Sequence, residues 1–147
     1  PSALIAEDPQ GIPNNLVPYI VGVIKKKFSH LNIYGNNYDT FDGTCMRDYI
    51  HVMDLAKGHV ALLNDKKSKS GLKVFNFGTG KASSVLQVVK TFEKVLGLSI
   101  PVKFAKRREG DLAVSYCSTK KSQNELGWSP KNNLEQSIQD MANVLKK

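Results

Sequence analysis

At 147 residues and 16.3 kDa the chain suits one compact domain and is too short for two large ones. Its 41% hydrophobic and 23% charged residues exclude extended disorder and collagen-like repeats, and no apolar run reaches the roughly 18 residues of a membrane helix. Lysine plus arginine number 21 against 13 acids, a formal net charge of +8 that favours anionic partners, yet only Arg47, Arg107 and Arg108 are arginines. The lysine runs 25–27 and 66, 67 and 69 read as solvated helix ends, whereas a planar guanidinium suits bidentate phosphate recognition. Two cysteines, Cys45 and Cys117, are too few for a disulfide framework and point to a reducing, cytosolic setting. No zinc-type spacing is present. The chain starts at Pro1 without a methionine or an apolar leader, so it reads as a processed start or as a piece of something longer.

In chain order, Pro1 to Pro13 reads as a loop. Asn14 or Asn15 then caps a predicted helix from Asn15 to about Phe28, with Leu16, Tyr19, Ile20, Val23 and Ile24 at helical spacing. Leu31 to Tyr34 alternates as a short strand and stops at Gly35. Residues 36–44 are turn-rich, Arg47 to Val52 reads as extended, and Asp54 is placed as the cap of a helix to about Leu63. Lys73 to Phe77 is predicted as a strand closed by Gly78-Thr79-Gly80. Ser83 or Ser84 caps an amphipathic helix from Val85 to Leu96, ended by Gly97. A strand at Val102 to Ala105, a helix from about Thr119 to Leu126 and a last helix from Leu134 to Leu145 complete the chain. Short strands with about five helices give an α/β or α+β fold.

Several clusters carry possible chemistry. Asn14-Asn15-Leu16 delivers polar groups to a helix start, which is either plain capping or an anion site. Arg107-Arg108-Glu109-Gly110-Asp111 is either solvated charge or a phosphate clamp with a ribose-binding carboxylate. Arg47 is a second phosphate candidate. His51 reads as structural, and its separation from His59 across a strand-to-helix change argues against a shared metal. Gly78-Thr79-Gly80-Lys81 fails the phosphate-loop pattern because Phe75 stands where the first glycine belongs; it also fails the dinucleotide pattern at Ser83. Tyr116 and Lys120 have the Tyr-x-x-x-Lys spacing of short-chain dehydrogenases, but the segment only begins a helix near Thr119, so the match reads as coincidence.

Gly-Ile-Pro-Asn-Asn-Leu (11–16), Arg-Asp-Tyr-Ile-His-Val-Met-Asp-Leu-Ala-Lys-Gly-His (47–59), Asn-Phe-Gly-Thr-Gly (76–80), Arg-Arg-Glu-Gly-Asp (107–111) and Glu-Leu-Gly-Trp (125–128) resemble, in order, the carboxyl-terminal part of the UDP-glucose 4-epimerase family. That family is of the extended short-chain dehydrogenase/reductase class. The resemblance implies that residues 1–147 form a small UDP-sugar-binding domain. The NAD-binding Rossmann domain, the glycine-rich loop and the catalytic Tyr-x-x-x-Lys would then lie outside the chain. In the family, NAD takes a hydride from C4 of the hexose while a tyrosine helped by a lysine removes the hydroxyl proton. The 4-keto sugar then turns over and takes the hydride on its other face, which requires an anchored nucleotide and a loosely held sugar.

Carried onto this sequence, the resemblance implies that Asn15 and the backbone at Leu16 contact the diphosphate. Arg47 and Arg108 clamp it, with Arg107 completing a converging trio. Asn32, Ile33 and Tyr34 border uracil, and Asp111 holds the ribose. Ser115 stands where a small residue is similar to forms that also accept N-acetylhexosamines. The further expectations are UDP-galactose and UDP-glucose as ligands, no nucleic-acid or membrane partner, a cytosolic homodimer at full length, and truncation at Pro1. Inactivity of this piece alone, and exposed apolar area where the Rossmann surface is absent, are also implied. The alternatives are another nucleotide-sugar enzyme, such as a 4,6-dehydratase or a UDP-glucuronate decarboxylase, and a noncatalytic basic module that binds nucleic acid.

Overall fold

The computed structural model describes Glu7, residues 10–65 and residues 71–145. Most of the opening loop and the lysines at 66, 67 and 69 lie outside the described residues. Five helices and five short strands are present among the described residues. They are α1 (Leu16–Ile24), β1 (Leu31–Tyr34), β2 (Met46–Arg47), α2 (Val52–Leu63), β3 (Ser83–Ser84), α3 (Val85–Leu96), β4 (Val102–Ala105), β5 (Val114–Ser115), α4 (Lys120–Leu126) and α5 (Leu134–Leu145). The α/β reading with short strands therefore matches the architecture.

The core forms where α1, β1, α3 and α5 meet. Leu31 and Ile33 alternate inward from β1, while Asn32 and Tyr34 lie on its other face. Val88, Val89 and Phe92 line one stripe of α3, and Ile20, Val23, Ile100 and Ile138 close around them. Each such burial contributes roughly 1.5–3 kcal/mol. The helix α3 is well delimited: the Ser84 hydroxyl accepts from Gln87 N at 3.0 Å, and Gly97 ends it at φ +66°. Asp42 accepts from Thr44 N at 3.0 Å and from Ser84 Oγ at 2.5 Å, which ties the 36–44 turn to the start of α3.

Two small sheets set the geometry of the site. Strands β1 and β4 pair in parallel, with Leu31 opposite Val102 and Tyr34 opposite Ala105. Strand β2 lies between β3, antiparallel, and β5, parallel, so Arg47 stands opposite both Ser83 and Ser115.

The structure corrects four boundaries. Helix α1 ends at Ile24, not near Phe28, because Lys26 turns to φ +57° and Phe28 folds back over Gly22. A Cβ at Gly22 would lie 2.4 Å from that ring, which instead stacks on Tyr19 at 4.6 Å. Of the predicted extended segment 47–52 only Arg47 joins a ladder, together with Met46 before it. The cap of α2 is His51, whose Nδ1 accepts from Met53 N at 3.0 Å. Asp54 instead sits buried in the first turn, where its Oδ2 accepts from Lys131 N and Asn132 N, each at 2.8 Å. Residues 73–77 form no ladder among the described residues, since no strand runs beside them. Leu72 is 94% exposed there, and Leu63 on the neighbouring α2 is 86% exposed.

Candidate functional site

Four separate segments converge on one cavity of about 410 Å³. The turn into α1 brings Asn14, Asn15 and Leu16, and β1 brings Asn32, Ile33 and Tyr34. Arg47 comes from β2, while Arg108 and Asp111 come from the loop after β4. Asn15 occupies the N-cap position, but its side chain makes no capping bond; its amide donates to Glu7 Oε1 at 3.4 Å. The positive end of the α1 dipole thus opens into the cavity with no acidic residue in its first turn.

The guanidinium of Arg47 is held from behind. Its Nη1 donates to the carbonyls of Met46 at 2.9 Å and Leu112 at 2.8 Å. Its Nη2 reaches Asp111 Oδ1 at 3.4 Å, and Arg108 Nε lies 3.4 Å from Asp111 Oδ2. One carboxylate therefore stands between two guanidinium groups, and its Oδ2 accepts no hydrogen bond despite lying out of solvent. Arg108 also covers the Tyr34 ring, with Cζ 4.4 Å from the centroid.

Arg107 is the exception to the expected trio. Its Nε donates to Asn37 Oδ1 at 2.7 Å, its Nη2 donates to the Asn37 carbonyl, and Cζ lies 3.9 Å from the Tyr38 centroid. Of this arginine pair only Arg108 lines the cavity. Ser115 is also outside that cavity. It lines a smaller adjoining one of about 320 Å³ with Asp48, Phe77, Gly78, Tyr116 and Cys117, and Arg47 lines both.

A profile of the family described as GDP-mannose 4,6 dehydratase matches residues 6–141. The chain belongs to that family. As the motifs suggested, its relatives are extended short-chain dehydrogenase/reductase proteins, and the curated ones are epimerases. It is 50% identical over 140 residues to the human UDP-glucose 4-epimerase, covering 95% of this chain and 40% of that protein. It is 49% identical to the UDP-glucose 4-epimerase of Bacillus subtilis, covering 95% and 41%. The crystal structure of UDP-glucose 4-epimerase from Bifidobacterium longum in complex with NAD+ and UDP superposes with a TM-score of 0.93. The identity is 44%, over 99% of this chain and 43% of that one. The chain thus spans about 40% of the length of these relatives.

Members of this family imply NAD, so the glycine-bearing turn is the place to test its fit. Gly78-Thr79-Gly80 is already occupied by an internal anion. Asp48 Oδ1 accepts from Thr79 N at 2.8 Å and Thr79 Oγ1 at 2.5 Å, and Asp48 Oδ2 accepts from Gly80 N at 3.0 Å. Burial alone would raise the Asp48 carboxyl, but these donors outweigh it and hold it below the ordinary value of 3.8. A dinucleotide diphosphate cannot take the same donors, so the turn does not fit NAD. Cys117 packs on the same carboxylate at 3.6 Å; burial and then the Asp48 charge push its thiol up, away from the thiolate form.

The other expected groups have separate positions. Tyr116 lies outside helix α4, which begins at Lys120, so the two do not share a helical turn. His51 Nε2 lies 3.1 Å from Asp140 Oδ2, whereas His59 Nδ1 lies 2.9 Å from the Leu55 carbonyl. No group of three metal-ligating side chains occurs among the described residues. No helix there is long and apolar enough to cross a membrane.

The sequence reading overlooked Tyr49 and Cys45, which line the main cavity. Tyr49 was within reach of a simple signal, because in extended backbone it shares a face with Arg47 two residues earlier. Burial first, and then Cys45, push its phenol up to about 12, so it presents a protonated hydroxyl at neutral pH.

Proposed function

We propose that this chain is the UDP-sugar-binding part of a UDP-hexose 4-epimerase that interconverts UDP-galactose and UDP-glucose. The observation that carries this reading is the meeting of Arg47 and Arg108, from distant segments, on one cavity beside an open helix N-terminus. Both guanidinium groups and the first-turn N–H groups of α1 would hold the diphosphate, with Asn15 and Leu16 at its edge. Asn32, Ile33 and Tyr34 would border uracil, and Asp111 would turn to the ribose hydroxyls. The hexose would extend past Arg47 into the smaller cavity, where Asp48 is already taken up by the 79–80 turn. A ligand anchored at one end and loose at the other suits a reaction that needs both faces of C4.

NAD and the proton-transferring residues would belong to parts of the protein outside these 147 residues. The exposed apolar side chains Val60, Leu63, Leu72 and Val74 would be covered by that remainder. Ser115 would leave room for an acetamido group, so UDP-N-acetylhexosamines would also be accepted. The full-length protein would be a cytosolic homodimer.

The test is turnover with NAD supplied. The 147-residue chain alone is expected to convert neither UDP-galactose nor UDP-N-acetylgalactosamine, whereas the full-length protein converts both until Arg108→Ala removes the diphosphate clamp. Turnover by the isolated chain, accumulation of a 4-keto-6-deoxy product, or retention on DNA at moderate salt would each overturn this assignment.

A further inference from the structure

We infer that Arg107 is a positioning residue that sets Arg108 and Asp111 against Tyr34, without itself meeting the ligand. The inference rests on the UDP reading above. The last rung of the β1–β4 pairing is Gly35 N donating to the Ala105 carbonyl at 2.9 Å. Beyond it both chains leave the ladder, and nothing in the sheet fixes the loop that carries Arg108.

Arg107 extends the connection past that rung. Its guanidinium grips both the Asn37 side chain and the Asn37 carbonyl, and its Cζ lies over the Tyr38 ring. Its stem packs at Gly35, where an added Cβ would lie 2.7 Å from Arg107 Cγ and 2.4 Å from the Tyr38 ring. At φ +88° that position favours glycine on conformational grounds as well. The segment directly after Tyr34 is thereby clasped to the residue directly before Arg108. With Arg107 fixed on one side of the chain, Arg108 is directed to the other, over Tyr34. Asp111 then follows through the turn closed by its N–H on the Arg108 carbonyl at 3.4 Å. Lysine cannot reproduce this clasp, because its single ammonium neither forks across Asn37 nor stacks flat on Tyr38.

Arg107→Met, which keeps the stem against Gly35, and Asn37→Ala, which removes one acceptor from the opposite side, test this in the full-length protein. UDP affinity is measured by calorimetry alongside thermal melting. Arg107→Met is expected to weaken UDP binding roughly tenfold, and Asn37→Ala by less, with melting cooperative in both. Arg107→Lys should fail to restore affinity at any salt concentration. The Arg107→Met, Arg108→Ala double variant should lose less than the sum of the two single losses, because part of the first acts through the second. Full rescue by lysine, additive losses, or unchanged affinity in Arg107→Met would overturn the positioning role while leaving the site intact. Unchanged affinity in Arg108→Ala would instead sink the UDP reading and this inference with it.

Discussion

Asp48 and Asp111 each lie among groups able to hold an anion, but they hold their surroundings differently. Asp48 takes three donors from the Gly78-Thr79-Gly80 turn at 2.5–3.0 Å, and a Cβ at Gly78 would lie only 2.5 Å from its Oδ2. Asp111 meets Arg47 and Arg108 at 3.4 Å each, and one of its oxygens accepts no hydrogen bond. The first corner is closed by short bonds inside tight packing, and the second is bridged by long contacts beside a cavity. A carboxylate bound in the first way is a structural part. One bound in the second can be replaced by a stronger anion without disturbing the fold, and a diphosphate is such an anion.

The largest effect should come from emptying the second corner. Each guanidinium contact with a charged oxygen contributes about 1.5–3 kcal/mol, so removing two should weaken UDP binding at least about a hundredfold. Arg47→Ala combined with Arg108→Ala, titrated with UDP by calorimetry in the full-length protein, checks this. A loss under tenfold would mean that the two groups do not share the ligand. Inorganic pyrophosphate sharpens the comparison. It has no ribose for Asp111 to hold, so Asp111→Ala should bind it more tightly than the parent while binding UDP more weakly.

Exchanging the two carboxylates for alanine separates structural from exchangeable next. Asp48→Ala leaves the backbone N–H groups of Thr79 and Gly80 without their acceptor, a loss of roughly 2–4 kcal/mol. Asp111→Ala breaks partly exposed pairs and should change stability by less than about 1 kcal/mol. Urea midpoints of the two variants against the parent measure both. Equal midpoints would erase the distinction between the corners.

The same contrast marks what could be read before the structure. Helix α3 was legible throughout because Val85, Val88, Val89 and Phe92 repeat at helical spacing between a serine cap and a left-handed glycine. Strands β1 and β4 were legible from their length and flanking residues. Eight of the nine expected binding positions also line the main cavity, since the motifs that carried them lie on segments the fold brings together. Strands β2, β3 and β5 were not legible, because a two-residue ladder has no periodicity of its own. The apolar run at 73–77 looked like a strand, but apolar character does not supply a neighbour to bond. Arg107 and Arg108 are identical in type, and only the Asn37-Tyr38 contact shows which one turns away. The capping role of His51 was hidden for a similar reason: Asp54 is the commoner cap residue, and its carboxylate is drawn instead to the backbone of residues 131–132.

Acid should loosen the first kind of corner gradually, and this is the smallest effect. For Asp48, and equally for Asp42 and Asp54, burial opposes ionisation, yet hydrogen-bond donors outweigh it and hold each carboxyl below its ordinary value of 3.8. The folded state then binds fewer protons than the unfolded state. Their contribution to stability is complete above the unfolded value and is lost as pH falls from there through the lowered folded values. Urea midpoints should therefore be level from pH 7 to about 5 and decline below about pH 4. Asp48→Asn should start lower and decline less steeply, because its amide has no charge to lose while the other two carboxyls still titrate. A slope as steep as the parent's would show that Asp48 does not hold the turn as an anion, and the contrast with Asp111 would then rest on packing alone.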